Sequence, residues 1–229
     1  MNYSNLRRFY WDILYSIEYS HDIALNALYK IIENQEKAYS TNDRELKGKI
    51  ESDQYLNSLT ENYQGSYTMS KYGDELHSIN EIKHFQRYST CLLLFLYFEG
   101  RLKTIYELVK KEHDLEKIKK TNLSYIETYW NYLTNVYKID TTIRSYLNPI
   151  TEQIFVRNKI AHQSGFLSES ERSKFIITLG ISLEKHDIEY KIIITDTIYL
   201  TNIIQKMDFF LKHLLLEVDK RFAQINEPL

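Results

Sequence analysis

Proline and glycine are scarce in this chain, with 2 and 6 among 229 residues. Both punctuate regular structure, so their scarcity excludes a fold of many tight turns and predicts long helices. Cysteine occurs once, at Cys91, which excludes a disulfide within the chain. Cys91 lies in the apolar run CLLLFLYF and reads as a buried hydrophobe. That run, residues 91–98, is far short of the roughly 20 residues that span a bilayer. The N-terminal MNYSNLRRFYWDILYS has no continuous apolar stretch of the signal-peptide kind, so a cytoplasmic protein is expected. Net positive charge is missing too. Against 31 Asp and Glu stand 29 Lys and Arg, a formal net of -2, so no broad field draws in nucleic acid. His21, His77, His84, His113, His186 and His213 are not spaced for zinc, and each reads as a surface or capping residue.

What is present is the composition of one globular core, 43% hydrophobic and 26% charged, in a chain long enough to bury it. We expect a mainly α fold in a single domain over 1–229. Residues 1–77 form a helical N-terminal extension in this reading, and 78–229 the core, with a small β-hairpin at about 174–195. The 20 Tyr accompany abundant Ile, Asn and Lys, a bias of coding rather than a functional set.

The pattern predicts a helix over 4–38 with Ser4 as N-cap, then a weaker one over 42–62. Residues 31–62 carry seven acidic and four basic side chains and should face water. Residues 63–77, YQGSYTMSKYGDELH, read as a loop. Its Gly65-Ser66 and Asp74-Glu75 are a poor match to a nucleotidyltransferase pattern, because the two acids are adjacent. The strongest helix runs over 78–113, with Ser78 as N-cap and Glu81 at the capping-box position. Ile82, Phe85, Leu92, Leu96, Leu102, Ile105 and Val109 form its inward stripe. Seven basic residues oppose four acidic ones over 101–120, a solvated helix end or one flank of an RNA path. A helix over 122–138 turns Ile126, Tyr129, Trp130, Leu133 and Val136 inward. A polar link occupies 167–173. Alternation then predicts strands through Phe175–Ile181 and Ile188–Ile194, turning near 184–187. A last helix over 196–223, capped by Asp196 or Thr197, buries Ile203, Phe210, Leu214 and Val218.

Two features carry chemistry. Glu99 falls on the apolar stripe of the 78–113 helix. A carboxylate buried there without a partner costs several kcal/mol, so it needs a cation or a functional hydrogen bond. The second is Arg157-Asn158-Lys159-Ile160-Ala161-His162, on a helix started by Pro149 and ended by Gly165. Ile150, Ile154, Arg157 and Ala161 share one face of that helix, and Asn158 and His162 a neighbouring one. Arginine forks donors toward phosphate, and histidine moves protons near neutral pH.

Arg157, Asn158 and His162 resemble the signature of the HEPN ribonucleases (the higher eukaryote and prokaryote nucleotide-binding fold). That signature is an arginine, a polar neighbour, and a histidine after four to six residues. The resemblance extends over roughly 78–225. FLYFEGRLKTIYELV looks like the glutamate-bearing helix of that family, and a hairpin before a closing helix is similar to an extension of its larger members. It implies a HEPN-like helical bundle in which Glu99 faces and orients Arg157, although Arg101 or Lys103 are alternative partners for Glu99. It further implies a homodimer whose two motif helices share a cleft.

In that setting the RNA 2'-hydroxyl is the nucleophile, His162 transfers protons, Arg157 holds the phosphate and Asn158 positions it. The product ends are a 2',3'-cyclic phosphate and a 5'-hydroxyl, with no metal or other cofactor. Small stand-alone members of that family with an intact motif concentrate among toxins and phage-defence effectors, so the resemblance implies such a role and an antitoxin or defence-system partner. The alternative is a non-catalytic HEPN dimer, a nucleotide- or RNA-binding or protein-interaction module of a defence complex.

Overall fold

The computed structural model describes residues 3–113 and 123–226. Its fold is mainly helical, with a small antiparallel sheet before the C-terminal helix, as the sequence leads one to expect. The order is α1 (Tyr3–Glu51), α2 (Gln54–Ser58), α3 (Glu61–His113), α4 (Tyr125–Asn135), a 3-10 turn (Thr141–Ile143), α5 (Arg144–Thr151), α6 (Ile154–Gln163), β1 (Phe166–Ser168), α7 (Glu169–Arg172), β2 (Ile181–His186), β3 (Glu189–Ile194) and α8 (Ile198–Asn226). None of the described helices is long and apolar enough to cross a membrane.

α1 and α3 form an antiparallel hairpin 49 and 53 residues long. Cross-links run down its length: Lys49 to Glu75 at 2.6 Å, Arg87 to Glu36 at 2.7 and 2.8 Å, and Arg101 to Ser20 at 3.0 Å. Two expectations fail here. The helices read over 4–38 and 42–62 are one helix to Glu51, because no proline or pair of glycines interrupts it. Residues 63–77 are helical rather than a loop. A glycine costs a helix interior about 1 kcal/mol relative to alanine, so Gly65 and Gly73 do not break α3 where tertiary contacts hold it. Buried Tyr72, Leu46 and Leu56 supply apolar contact. Asp53, the N-cap of α2, takes hydrogen bonds from Lys71 Nζ at 2.7 Å and Tyr72 Oη at 2.9 Å. Ser78 therefore lies inside a helix and starts none, and the Gly65 to Glu75 pattern has no strand and turn around it.

The inward stripe of α3 is also rotated from the expected one. Cys91, Leu94, Phe95, Phe98, Leu102, Ile105 and Val109 are buried, whereas Ile82, Phe85 and Leu96 are 46%, 63% and 64% exposed. Runs apolar on more than one face allow both readings. Packing decides, since α1 and α8 both lie against α3. α8 behaves as expected: Ile203, Phe210, Leu214 and Val218 are all buried, and Asp196 Oδ1 accepts from Ile198 N at its start, 2.8 Å. In α4, Ile126, Trp130 and Leu133 face the core while Val136 is exposed. Its start is Ser124, whose Oγ accepts from Glu127 N at 3.3 Å, and Asn122 lies outside the described residues.

The sheet has the order β1-β3-β2, all antiparallel, with Phe166 opposite Lys191 and Ile181 opposite Ile194. The expected link over 167–173 thus holds the edge strand β1 and the short α7. The hairpin is shifted as well. Its first strand begins at Ile181, Ile177 and Leu179 are exposed, and the turn is Asp187-Ile188, with Asp187 at φ 48°. Arg87 joins this sheet to the helical hairpin, its Nη1 donating to the carbonyls of Ile194 and Thr195 at 2.8 and 2.7 Å.

Candidate functional site

The motif helix does not start at Pro149. Pro149 lies inside α5, and the chain bends at Glu152–Gln153 before α6 begins at Ile154. A proline inside a helix removes one backbone donor and strains the preceding turn, so α5 ends two residues later. Buried Gln153 accepts a hydrogen bond from Tyr199 Oη of α8 at 3.1 Å, which holds the bend against the core. Ile150 thus belongs to α5 and does not share a face with Arg157.

The other end of α6 is set by a left-handed turn. Ser164 and Gly165 have φ of 50° and 85°, and Gly165 N donates to Lys159 O at 3.0 Å. A β-carbon at position 165 would stand 2.9 Å from Tyr88 Cζ, so glycine is required for the close approach as well as the dihedral. Tyr88 Oη donates to Ile192 O, and Ile192 N donates to Gly165 O at 2.9 Å. Helix end, α3 and sheet are locked together at this point.

Within α6 the buried residues are Val156, Lys159 and Ile160, and Ala161 is exposed, so the expected core face through Arg157 and Ala161 is displaced. Lys159 is buried because its ammonium is paired. Nζ donates to Gln163 Oε1 at 2.6 Å and to Glu171 Oε1 of α7. That bond, with the backbone N–H of Ser168, holds the Glu171 carboxyl down at about 2.

Arg157 and Asn158 are half-buried and His162 is exposed. Arg157 Nη1 donates to Asn158 Oδ1 at 2.9 Å, and Nη2 stands 3.5 Å from Glu99 Oε1. Its buried Nε has no partner among the described residues. A guanidinium has five N–H donors, so this geometry orients Arg157 and leaves donors unspent. Glu99 is 18% exposed at the side chain. Burial raises its carboxyl above the ordinary value, and the positive charge of Arg157 opposes that rise. The alternative partner Arg101 is turned to Ser20 of α1 instead and to Tyr97 of its own helix. Asn158 and His162, four residues apart, share the outward face of α6.

Other expectations meet the structure unevenly. His21 is buried rather than superficial, bonded to Tyr97 Oη and to Asp208 Oδ1 at 3.1 Å. Among the described residues, no three of His, Cys, Asp and Glu gather so as to hold a metal. Cys91 is fully buried and its thiol pushed up to about 12, as an inert core residue should be. Of the basic run, Lys110 pairs with Glu107 at 3.5 Å, and residues 114–122 lie outside the described residues.

Sequence reasoning missed the supports. Lys159, within the apolar motif, and Gly165, just past it, were visible signals. Glu171 and Tyr88 were not, since nothing local marks them. Comparison with protein-family models, with curated proteins and with solved structures finds no match.

Proposed function

We propose that this chain is a metal-independent endoribonuclease that acts as a homodimer, of the toxin or anti-phage defence kind. The observation that carries the reading is the pairing of Arg157 with Glu99 at 3.5 Å, on the helix that also presents exposed His162. An oriented cation with free donors, on the same helix as a solvent-facing imidazole, meets the needs of phosphodiester transesterification when a second copy completes the site.

In this mechanism His162 takes the proton of the 2'-hydroxyl, whose oxygen attacks the adjacent phosphorus. The P–O5' bond breaks, and the departing 5'-oxygen is protonated. Arg157 stabilises the charge that grows on the phosphate oxygens, and Asn158 positions that phosphate. One imidazole does not serve as base and acid in the same concerted step, so the second proton transfer falls to His162 of a second copy. The outward face of α6, carrying Asn158, Ala161 and His162, is open to such a copy. So is Leu96, 64% exposed one turn before Glu99. A two-fold axis between two such faces gives a symmetric site.

The net charge of -2 favours a second reading, a dimeric interaction module whose partner is an antitoxin or another defence protein. The experiment that separates the two is incubation of purified protein with total RNA in EDTA, with His162→Ala and Arg157→Ala as controls. Cleavage that persists in EDTA, leaves 2',3'-cyclic phosphate ends and disappears in both variants supports the nuclease. A folded dimer that leaves RNA intact supports the module.

A further inference from the structure

Beside the motif helix lies a groove of about 400 Å³ that the reaction above does not use. This volume lies within the range of small-ligand sites, roughly 300–1,000 Å³. α3 supplies His84, Phe85 and Tyr88, α6 supplies Ile160, and the sheet supplies Phe166 and Lys191. Ile160 is three residues after Arg157, about 4.5 Å of helix rise. Leu92, also in the wall, lies on the same face of α3 as Glu99, seven residues before it. The near wall of the groove therefore adjoins the Arg157–Glu99 pair, whereas Phe85, well before Glu99 on the same helix, lies about 21 Å along α3, a span of several nucleotides of an extended strand.

Its chemistry points to a neutral planar ligand. Phe85 is 63% exposed, an aromatic ring left on the surface with space beside it. Lys191 Nζ stands 3.5 Å from Glu81 Oε1, so the two charges at the rim cancel and the groove holds no net attraction for an anion. His84 Nδ1 is buried with no hydrogen-bond partner among the described residues. Burial and the nearby Lys191 lower the affinity of His84 for a proton. Its neutral ring then offers one donor and one acceptor. RNA-binding proteins read single strands by stacking splayed bases on aromatic rings and bonding their edges.

We infer that this groove is a subsite for one unpaired RNA base, several nucleotides along a strand whose reacting phosphate is held at Arg157. The inference rests on the ribonuclease reading and gives it a specificity element. Phe85 and Phe166 take the faces of the base, and His84 reads its edge.

The test uses the full chain carrying His162→Ala, so that no RNA is turned over. Four short single-stranded RNAs of uniform sequence, one for each base, are the probes, and calorimetry is the readout. The expected result is unequal affinity among the four. Adding Phe85→Ala weakens the best by roughly 5- to 100-fold, the span for one lost base–aromatic stack. Adding His84→Ala narrows the differences among them, and adding Arg157→Ala weakens all four alike. The inference is overturned if Phe85→Ala and His84→Ala leave every affinity within about twofold. It is also overturned if Phe85→Ala turns a dimer into monomers with RNA binding unchanged, which makes the groove a contact between copies. Specific base binding by a protein whose wild type cleaves no RNA sinks the nuclease and leaves the subsite. Cleavage whose base preference is untouched by both groove variants sinks the subsite and leaves the nuclease.

Discussion

Glu99 of α3 and Arg157 of α6 meet at 3.5 Å across 58 residues of sequence, with side chains 18% and 26% exposed. In a half-buried pair the cost of desolvating the carboxylate offsets much of the attraction, so the net gain in stability is small. The pair's effect is on where the guanidinium points. Glu99→Gln should therefore lower RNA cleavage about tenfold or more while shifting Tm by only a few degrees. A loss of Tm in proportion to activity would instead make Glu99 a structural residue.

His162 is exposed, so His162→Ala should leave the unfolding transition in place. On the proposed chemistry the same change lowers the cleavage rate by ~10^2- to 10^4-fold, the usual contribution of general acid–base catalysis. Single-turnover rates on a defined RNA, beside a urea titration, make the comparison. An unchanged rate removes His162 from the mechanism.

Leu96 is 64% exposed near the pair. Leu96→Glu should leave the monomer folded, give half the mass in sedimentation, and abolish cleavage. Mixing the Leu96→Glu and wild-type chains should not restore more than the wild-type share. An active monomer would show that one copy suffices.

Gly165 combines φ 85° with the close approach of Tyr88. Gly165→Ala should cost roughly 1–3 kcal/mol, visible as a lower urea midpoint, with cleavage reduced because the His162 end of α6 shifts. Tyr88→Phe removes the hydrogen bond to Ile192 O and should cost about 1 kcal/mol. Equal stability of Gly165→Ala and wild type would mean that the turn relaxes freely.

His21 gives a pH dependence. Burial lowers its pKa below the ordinary 6.5, partly offset by the hydrogen bond and charge of Asp208. Tyr97, Asp22 and Arg101 also face it. Because the folded value is depressed, its contribution is fully present above pH 6.5 and fades as the pH falls through the lower folded value. Urea midpoints between pH 8 and pH 5 should decline for the wild type and decline less for His21→Gln. Parallel declines would assign the effect to the carboxylates.

Legibility in the sequence followed the range of the interactions. Long helices, the apolar set of α8, the buried Cys91 and a sheet near 174–195 were readable because each rests on local pattern. So was the candidate set Arg157, Asn158 and His162, whose spacing alone places two of them on one face. Glu99 stood out as a carboxylate on an apolar stripe, although no local signal chose Arg157 over Arg101 as its partner.

The rest was decided in three dimensions. The helix through 63–77 persists because Asp53, Lys71 and Tyr72 hold two glycines in place. The face of α3 that turns inward is the one that α1 and α8 cover, since a run apolar on two faces has no preference of its own. The start of α6 follows from the bend after Pro149 and from Gln153 meeting Tyr199, 46 residues away. Local propensity set the elements of this protein. Long-range packing set their boundaries, their rotation and the meeting of Glu99 with Arg157, because those depend on partners that no stretch of sequence contains.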